Sequence, residues 1–357
     1  MNRSSPKLAA SELARFDYDL PRNLIAQCPL PRRSDARLMV VDRADGSLAH
    51  RSVRDLPELL RPGDCLVIND TRVLPARLMG RRSQTGGRWE GLFLSTDIEG
   101  HWRVLSKARG KLAPGEPITL INRLSDDDVT LRLIEKLPGG VWIAHPESDQ
   151  PAFEILDRVG RVPLPHYVRG GEMVEDDRQR YQTVYARHLG SVAAPTAGLH
   201  FTDDLLARLV EVGVVPVRLT LHVGLDTFRP IGTVTLAEHR MHKEQGQIDR
   251  AAVEQIERAR AAGGRVVAVG TTTVRVLETA GESGKLTPWT GETDLFIRPP
   301  YQFKVVDSLL TNFHLPRTTL LVLVRTFGGD ELLTRAYAEA IEENYRFYSY
   351  GDAMLIL

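Results

Sequence analysis

Apolar positions fall into two textures along the chain. At Arg37–Val41 and at 65–68 they form short unbroken runs, the second entered through a Pro62-Gly63-Asp64 turn, as buried strands of one sheet require. Between about 71 and 151 the runs shorten, at 92–94, 102–105, 118–121, 129–134 and 141–144, and Gly, Pro and Asp clusters divide them. No helical period runs through that stretch. Many short strands at close spacing predict a small β-barrel or sandwich, and the position of the stretch predicts insertion into a larger domain.

After Pro151 helical patterns return and alternate with strands. Thr202 is placed as an N-cap, Asp203 and Asp204 suit the positive end of a helix, and Leu205, Leu206, Leu209 and Val210 make an apolar stripe that stops at Gly213. A strand is predicted at 215–221. Asp249 starts a second helix carrying Val253 and Ile256, a Gly263-Gly264 pair ends it, and the apolar run 266–269 follows as a strand. Pro316 precedes a run through Leu320, Leu321, Val324 and Phe327 that fits a helix, with a strand fitting nearly as well for so short a segment. Another helix is predicted at 331–345 and a last strand at 353–357. The predicted fold is a mixed-sheet α/β domain (1–70 and 153–357) interrupted by an inserted small β-barrel domain (71–152).

Composition narrows the function classes. The chain of 357 residues is 42% hydrophobic and 26% charged, as folded proteins are, and its 46 basic residues balance 46 acidic ones. Wholesale attraction to nucleic acid or anionic membrane is not expected, so any such site must be local. Cys28 and Cys65 lack metal-ligand spacing and suit a reducing compartment. The first residues show no apolar signal core and no later stretch reaches the roughly 18 residues that span a bilayer, so the expectation is a cytoplasmic protein with no membrane partner.

Six segments combine chemistry-bearing residues. In VAVGTTTVRVLET (267–279) a buried strand runs through Gly270 into three threonines and a helix; Thr271, Thr272, Thr273 and Arg275 could hold a carboxylate or phosphate, or the threonines could simply cap the helix. Neither a Walker loop nor the Gly-rich dinucleotide fingerprint is present, so nucleotide hydrolysis has no support. APTAGLHF (194–201) fixes Thr196, Gly198 and His200 in a Pro- and Gly-bearing loop, where the histidine is either an acid-base group or a packed residue. LTLHVGLDTFRP (219–230) crowds His222, Asp226, Thr227 and Arg229 at a strand end, where ligands of α/β sheets sit, though Gly224 and Asp226 also suit a plain turn. EHRMHKE (238–244) spaces His239 and His242 three apart; the zinc-protease order is absent, and a polar helix or loop is the expectation, with no metal. TNFHLP (311–316) and YRFYSYGDAM (345–354) mix aromatics with polar groups that either stack a purine or form core. Finally, 72–111 is locally basic: Arg72, Arg77, Arg81, Arg82, Lys107 and Arg109 would suit a phosphate-tracking face or a solvated surface.

Taken together these strings resemble one family, the S-adenosylmethionine:tRNA ribosyltransferase-isomerases. The likeness begins at FDYDLPRNLIAQCPLPRRSDARLMVVDR (16–43), continues through INDTRVLPARLMG (68–80) and YQTVYA (181–186), and takes in every segment above in the family's order. The chain reads Asp226 where the family pattern usually has Gly, and its barrel segment matches more loosely than the rest. The resemblance implies an α/β domain interrupted by a β-barrel, and an enzyme that transfers and isomerises the ribosyl moiety of S-adenosylmethionine onto 7-aminomethyl-7-deazaguanine at the tRNA wobble position. Epoxyqueuosine-tRNA, adenine and methionine are the implied products. The cosubstrate is S-adenosylmethionine with no prosthetic group, and the expected state is a monomer. A sulfonium acidifies the neighbouring carbon, so the site needs a positioned base and later an acid. His200 or His222 is assigned as base, with His314 and Asp352 completing a pocket in which Thr196, Gly198, Thr271, Thr272, Thr273, Arg275 and Tyr348 hold the cosubstrate. The basic residues named above are assigned to tRNA. An S-adenosylmethionine-dependent RNA methyltransferase and a non-catalytic RNA-binding module are the alternatives.

Overall fold

The computed structural model describes residues 12–224, 231–233 and 235–357. The chain forms two compact units, one of Met1–Arg72 with Gln182–Leu357 and one of Val73–Tyr181. It therefore leaves the first unit, builds the second, and returns. Helical texture resumes at Pro151, which is why the sequence placed the return at 153, but the compact unit runs on to Tyr181. The cause is local: after the helix Ala152–Val159 the short strand Gly160–Arg161 pairs antiparallel with Arg77–Arg82.

Among the described residues the first unit holds a nine-stranded mixed sheet. From edge to edge its strands are Trp289–Thr293, Glu244–Ile248, Val215–Leu221, Cys65–Asn69, Val266–Val269, Ser308–Asn312, Ala353–Ile356, Arg37–Val41 and Leu48–Ser52. The four from Val215–Leu221 to Ser308–Asn312 are mutually parallel, so their carboxyl ends share one rim. Cys65–Asn69, Val266–Val269 and Ser308–Asn312 are buried along their whole length. Both faces of these strands are covered, and for that reason 65–68 and 266–269 read as continuous apolar runs instead of alternating ones.

One face packs Leu66, Ile68, Val267, Val269 and Leu310 against Phe201, Leu205 and Leu209. Each such side chain contributes roughly 1.5–3 kcal/mol on burial. That outweighs the poor intrinsic stability of the nine-residue helix Asp203–Glu211. Its start is set by Thr202, whose side chain accepts a hydrogen bond from the Leu205 backbone N–H at 3.1 Å. Asp249 caps Arg250–Ala261 through Ala252 in the same way, at 2.7 Å. Thr318 caps Thr319–Gly328, which is a helix and not the competing strand. The edge strands Leu48–Ser52 and Trp289–Thr293, and Glu244–Ile248 next to the latter, carry polar, partly exposed residues, and no apolar run announces them.

The second unit is a β-barrel. Arg77–Arg82, Arg88–Thr96, Trp102–Ala108, Val141–Pro146, Asp127–Lys136 and Pro117–Ile121 follow one another antiparallel, and the first closes on the last through Gly80↔Leu120 and Arg82↔Ile118. Its core is Leu78, Trp89, Trp102, Val104, Ile118, Leu131 and Trp142, all buried. Closure leaves the barrel strands without free edges. Among the described residues no helix is long and apolar enough to cross a membrane.

The Thr202 cap can be tested directly. Thr202→Ala should lower stability by about 1 kcal/mol, seen as a fall of about 2–4 °C in a thermal melt. An unchanged melt would mean that the cap does not hold the start of this helix.

Candidate active site at the carboxyl ends of the parallel strands

Four loops leave the shared rim, after Asn69, Val269, Asn312 and Leu221, and a fifth, Thr196–His200, is joined to it by side-chain hydrogen bonds. A cleft opens there. It is lined by Pro195, Thr196, Val223, Thr271, Thr272, Thr311, Asn312 and His314, and holds about 350 Å³ of empty space that runs out into solvent. Gly270 has φ +87°, a backbone conformation favouring glycine, and lets the chain turn from Val266–Val269 straight into the helix Thr271–Ala280. Thr271 and Thr272 are thereby set on the cleft wall at the helix start.

Two buried asparagines tie the rim together. Asn69 Oδ1 accepts from the backbone N–H of Leu221 (3.0 Å) and of Thr71 (3.1 Å), while its Nδ2 donates to the Leu221 carbonyl (3.0 Å) and to Thr272 Oγ1 (3.2 Å). Asn312 Oδ1 accepts from Thr196 Oγ1 at 2.8 Å; its Nδ2 faces His200 Nε2 and the Tyr348 carbonyl, both at 3.2 Å, and the Asp352 carbonyl at 3.5 Å. One amide thus joins two neighbouring strand ends to the helix start. The other joins a third strand end to two loops.

The three candidate histidines occupy different settings. His314 lines the cleft, with Nε2 2.8 Å from Thr311 Oγ1 and its backbone held by Tyr337 and Tyr18. Burial pushes its pKa down to about 3. His200 lies behind Asn312, buried, with its pKa pushed down to about 4 by burial first and then by the Arg33 and Arg346 charges; a hydrogen bond with the Arg33 backbone opposes this. His222, half-buried one residue beyond Val215–Leu221, faces Thr71 Oγ1 through Nδ1 at 2.8 Å, and its pKa is lowered by burial and then by His188. It is joined to the cleft by sequence, since Val223 is a lining residue, and by the Asn69 amide, which reaches both Thr71 and Thr272.

The other candidates divide. Thr196, Thr271 and Thr272 line the cleft. Gly198 does not, but serves it: a Cβ there would lie 2.1 Å from the Tyr185 hydroxyl, so only glycine lets the loop close on Tyr185. Thr273 turns its hydroxyl back to the Val269 carbonyl at 2.7 Å. Arg275 is not brought to the cleft, because its guanidinium pairs with buried Glu244 and donates to the Leu295 and Thr293 carbonyls. The Asp352 carboxylate is likewise turned inward, accepting from the Arg37 N–H (2.9 Å) and the Arg346 N–H (2.8 Å). Tyr345, Phe347, Tyr348 and Tyr350 are buried, and Phe313 and Tyr337 stack on members of that group, so the aromatic run is core and not an exposed platform. His239 packs edge-on against Phe296. Asp226, Thr227 and Arg229 lie outside the described residues.

Residues 13–356 match the family described as queuosine biosynthesis protein. The chain belongs to that family. A relative in Symbiobacterium thermophilum named S-adenosylmethionine:tRNA ribosyltransferase-isomerase is 52% identical over 97% of this chain and 99% of its own. Another of that name in Acetivibrio thermocellus is 47% identical over 97% and 99%. The crystal structure of S-adenosylmethionine tRNA ribosyltransferase from Thermotoga maritima is similar with TM-score 0.55 and 36% identity, covering 96% of this chain and all of that one. The α/β and β-barrel composition expected from the sequence is that of this queuosine-family fold.

In this family member the basic segment is less free than its sequence suggests. Arg81 is paired with Asp127, Arg82 with Glu116, and Arg77 with Glu90 while donating to the Gly171 carbonyl. Asp127 and Glu116 come from strands or turns far along the chain, so the local charge count overlooks them. Arg72, Lys107 and Arg109 remain exposed.

The buried histidines make stability depend on pH. A histidine near 6.5 when unfolded and near 4 when folded, as His200 is, takes up its proton more readily in the unfolded chain. Stability is therefore full above about pH 6.5 and falls as pH drops toward 4, by at most about 3 kcal/mol for this residue. In denaturant titrations between pH 7.5 and 4.5, His200→Gln should show a loss shallower than wild type by up to about 1.4 kcal/mol per pH unit. Parallel curves would refute the burial of a neutral imidazole at this position.

Proposed function

We propose that this chain is an S-adenosylmethionine:tRNA ribosyltransferase-isomerase acting on 7-aminomethyl-7-deazaguanine at the wobble position of tRNA, releasing adenine and methionine. The observation that carries the reading is the family match across 13–356, joined to near-full-length relatives of that name. The cleft is consistent with it. A cationic sulfonium is repelled by imidazolium and tolerated by neutral imidazole, and His200, His222 and His314 all have lowered pKa values. Neutral imidazole is also the form that accepts a proton.

Of the two histidines assigned as base, His222 has the better setting. It is half-buried, where His200 is enclosed with both ring nitrogens engaged, and Thr71 orients it through Nδ1. In the proposed reaction His222 takes a proton from the carbon beside the sulfonium, and the imidazolium so formed has a proton to return as adenine departs. His314 and the Thr271 and Thr272 hydroxyls line the space for the cosubstrate. Arg275 and Asp352 act behind the wall, holding the Glu244–Ile248 strand and the 346–352 turn. The exposed Lys107 and Arg109 are the barrel's contacts for the tRNA backbone. A methyltransferase would release S-adenosylhomocysteine, and the names of the relatives match ribosyl transfer instead.

His222→Ala should lower single-turnover release of adenine from S-adenosylmethionine and substrate tRNA by about 10²- to 10⁴-fold while the variant stays folded. A rate close to wild type would remove His222 from the chemistry. Lys107→Ala with Arg109→Ala should weaken tRNA binding and reduce the slope of log affinity against log salt by about 2. An unchanged slope would remove these side chains from the tRNA contact.

A further inference from the structure

Hydroxyl groups can donate or accept, and which they do decides what a cleft binds. The two buried asparagines settle this for two threonines on the cleft wall. Asn69 has no freedom to exchange its oxygen and nitrogen, because the N–H groups of Leu221 and Thr71 can only donate to Oδ1 and the Leu221 carbonyl can only accept from Nδ2. Its second Nδ2 proton then goes to Thr272 Oγ1, which must accept and is left with its own proton to give. Asn312 is fixed by the same logic. The Tyr348 carbonyl can only accept, so it holds one Nδ2 proton and leaves the other for His200 Nε2; Oδ1 therefore faces Thr196, whose hydroxyl spends its proton there and keeps its lone pairs.

We infer that Asn69 and Asn312 are positioning residues that give the cleft a fixed hydrogen-bond polarity, with Thr272 as a donor and Thr196 as an acceptor toward the bound cosubstrate. This rests on the reading of the cleft as the S-adenosylmethionine site. The group it takes presents an acceptor atom to Thr272 and a donor to Thr196. In S-adenosylmethionine both the zwitterionic amino-acid end and the amino edge of adenine have that chemistry, and a ligand offering the opposite order meets donor against donor. Asn312 also faces His200 Nε2 with an N–H, which keeps that nitrogen unprotonated and places the histidine proton on Nδ1.

The test measures binding of S-adenosylmethionine, methionine and adenosine separately to the full chain and to Thr272→Val, Thr272→Ser and Asn69→Asp. Thr272→Val should bind S-adenosylmethionine about tenfold more weakly, Thr272→Ser should recover to within about twofold, and affinity for tRNA should not change. Asn69→Asp replaces the Nδ2 donor by an acceptor, draws the Thr272 proton to itself, and should weaken binding as Thr272→Val does. If that variant fails to fold, the valine and serine variants decide alone. Loss of methionine affinity in Thr272→Val assigns the contact to the amino-acid end, and loss of adenosine affinity assigns it to the nucleoside. Equal binding by wild type and Thr272→Val, or equal weakness of the serine and valine variants, would overturn the inference. A wild-type chain that binds S-adenosylmethionine but releases no adenine with substrate tRNA would instead overturn the functional reading, leaving the polarity result intact.

Discussion

Two side-chain amides at strand ends are the constraint on which the site depends. Parallel strands end with unpaired backbone donors and acceptors, and burying them without partners costs about 1–3 kcal/mol each. Asn69 meets that need at the end of Cys65–Asn69 by bonding to its neighbour strand on one side and reaching the Thr271–Ala280 helix on the other. Asn312 does the same at the end of Ser308–Asn312 toward the Thr196–His200 turn and the 346–352 turn. The loops that carry chemistry are therefore positioned by the sheet and not by one another.

In the proposed reaction the site receives a cation and keeps a proton acceptor beside it. Burial supplies both conditions, since it holds His200 and His314 uncharged well below neutral pH and pulls His222 in the same direction. Arg275, in the helix whose start walls the cleft, is kept out of it by pairing with Glu244 inside the protein. The arginine that would repel a sulfonium instead fastens the Glu244–Ile248 strand to the Thr271–Ala280 helix.

The sequence carried the buried strands and capped helices, because a five-residue apolar run bounded by turn residues or a threonine before an apolar stripe has few physical solutions. Thr202, Asp249 and the 266–269 run illustrate this. Polar strands such as Glu244–Ile248 escaped, since their pairing rather than their composition makes them strands. In the site, the histidine and threonine segments were legible as motifs, but the direction in which each side chain turns was not. Arg275 and Asp352 read as ligand groups and face inward, while Asn69 and Asn312, not singled out among the candidates, organise the rim. A polar residue that ends an otherwise apolar strand is a signal that could have found Asn69, because burial there demands partners, whereas Asn312 ends the mixed run Ser308–Asn312 and carries no such mark.

The proton position on the His200 ring reports which way the Asn312 amide faces. Nitrogen-15 NMR of the histidine rings at pH 7 measures it. The predicted result is a neutral imidazole with its proton on Nδ1 and an unprotonated, hydrogen-bond-accepting Nε2. A proton on Nε2, or an imidazolium, would contradict the amide orientation on which the polarity of the cleft depends.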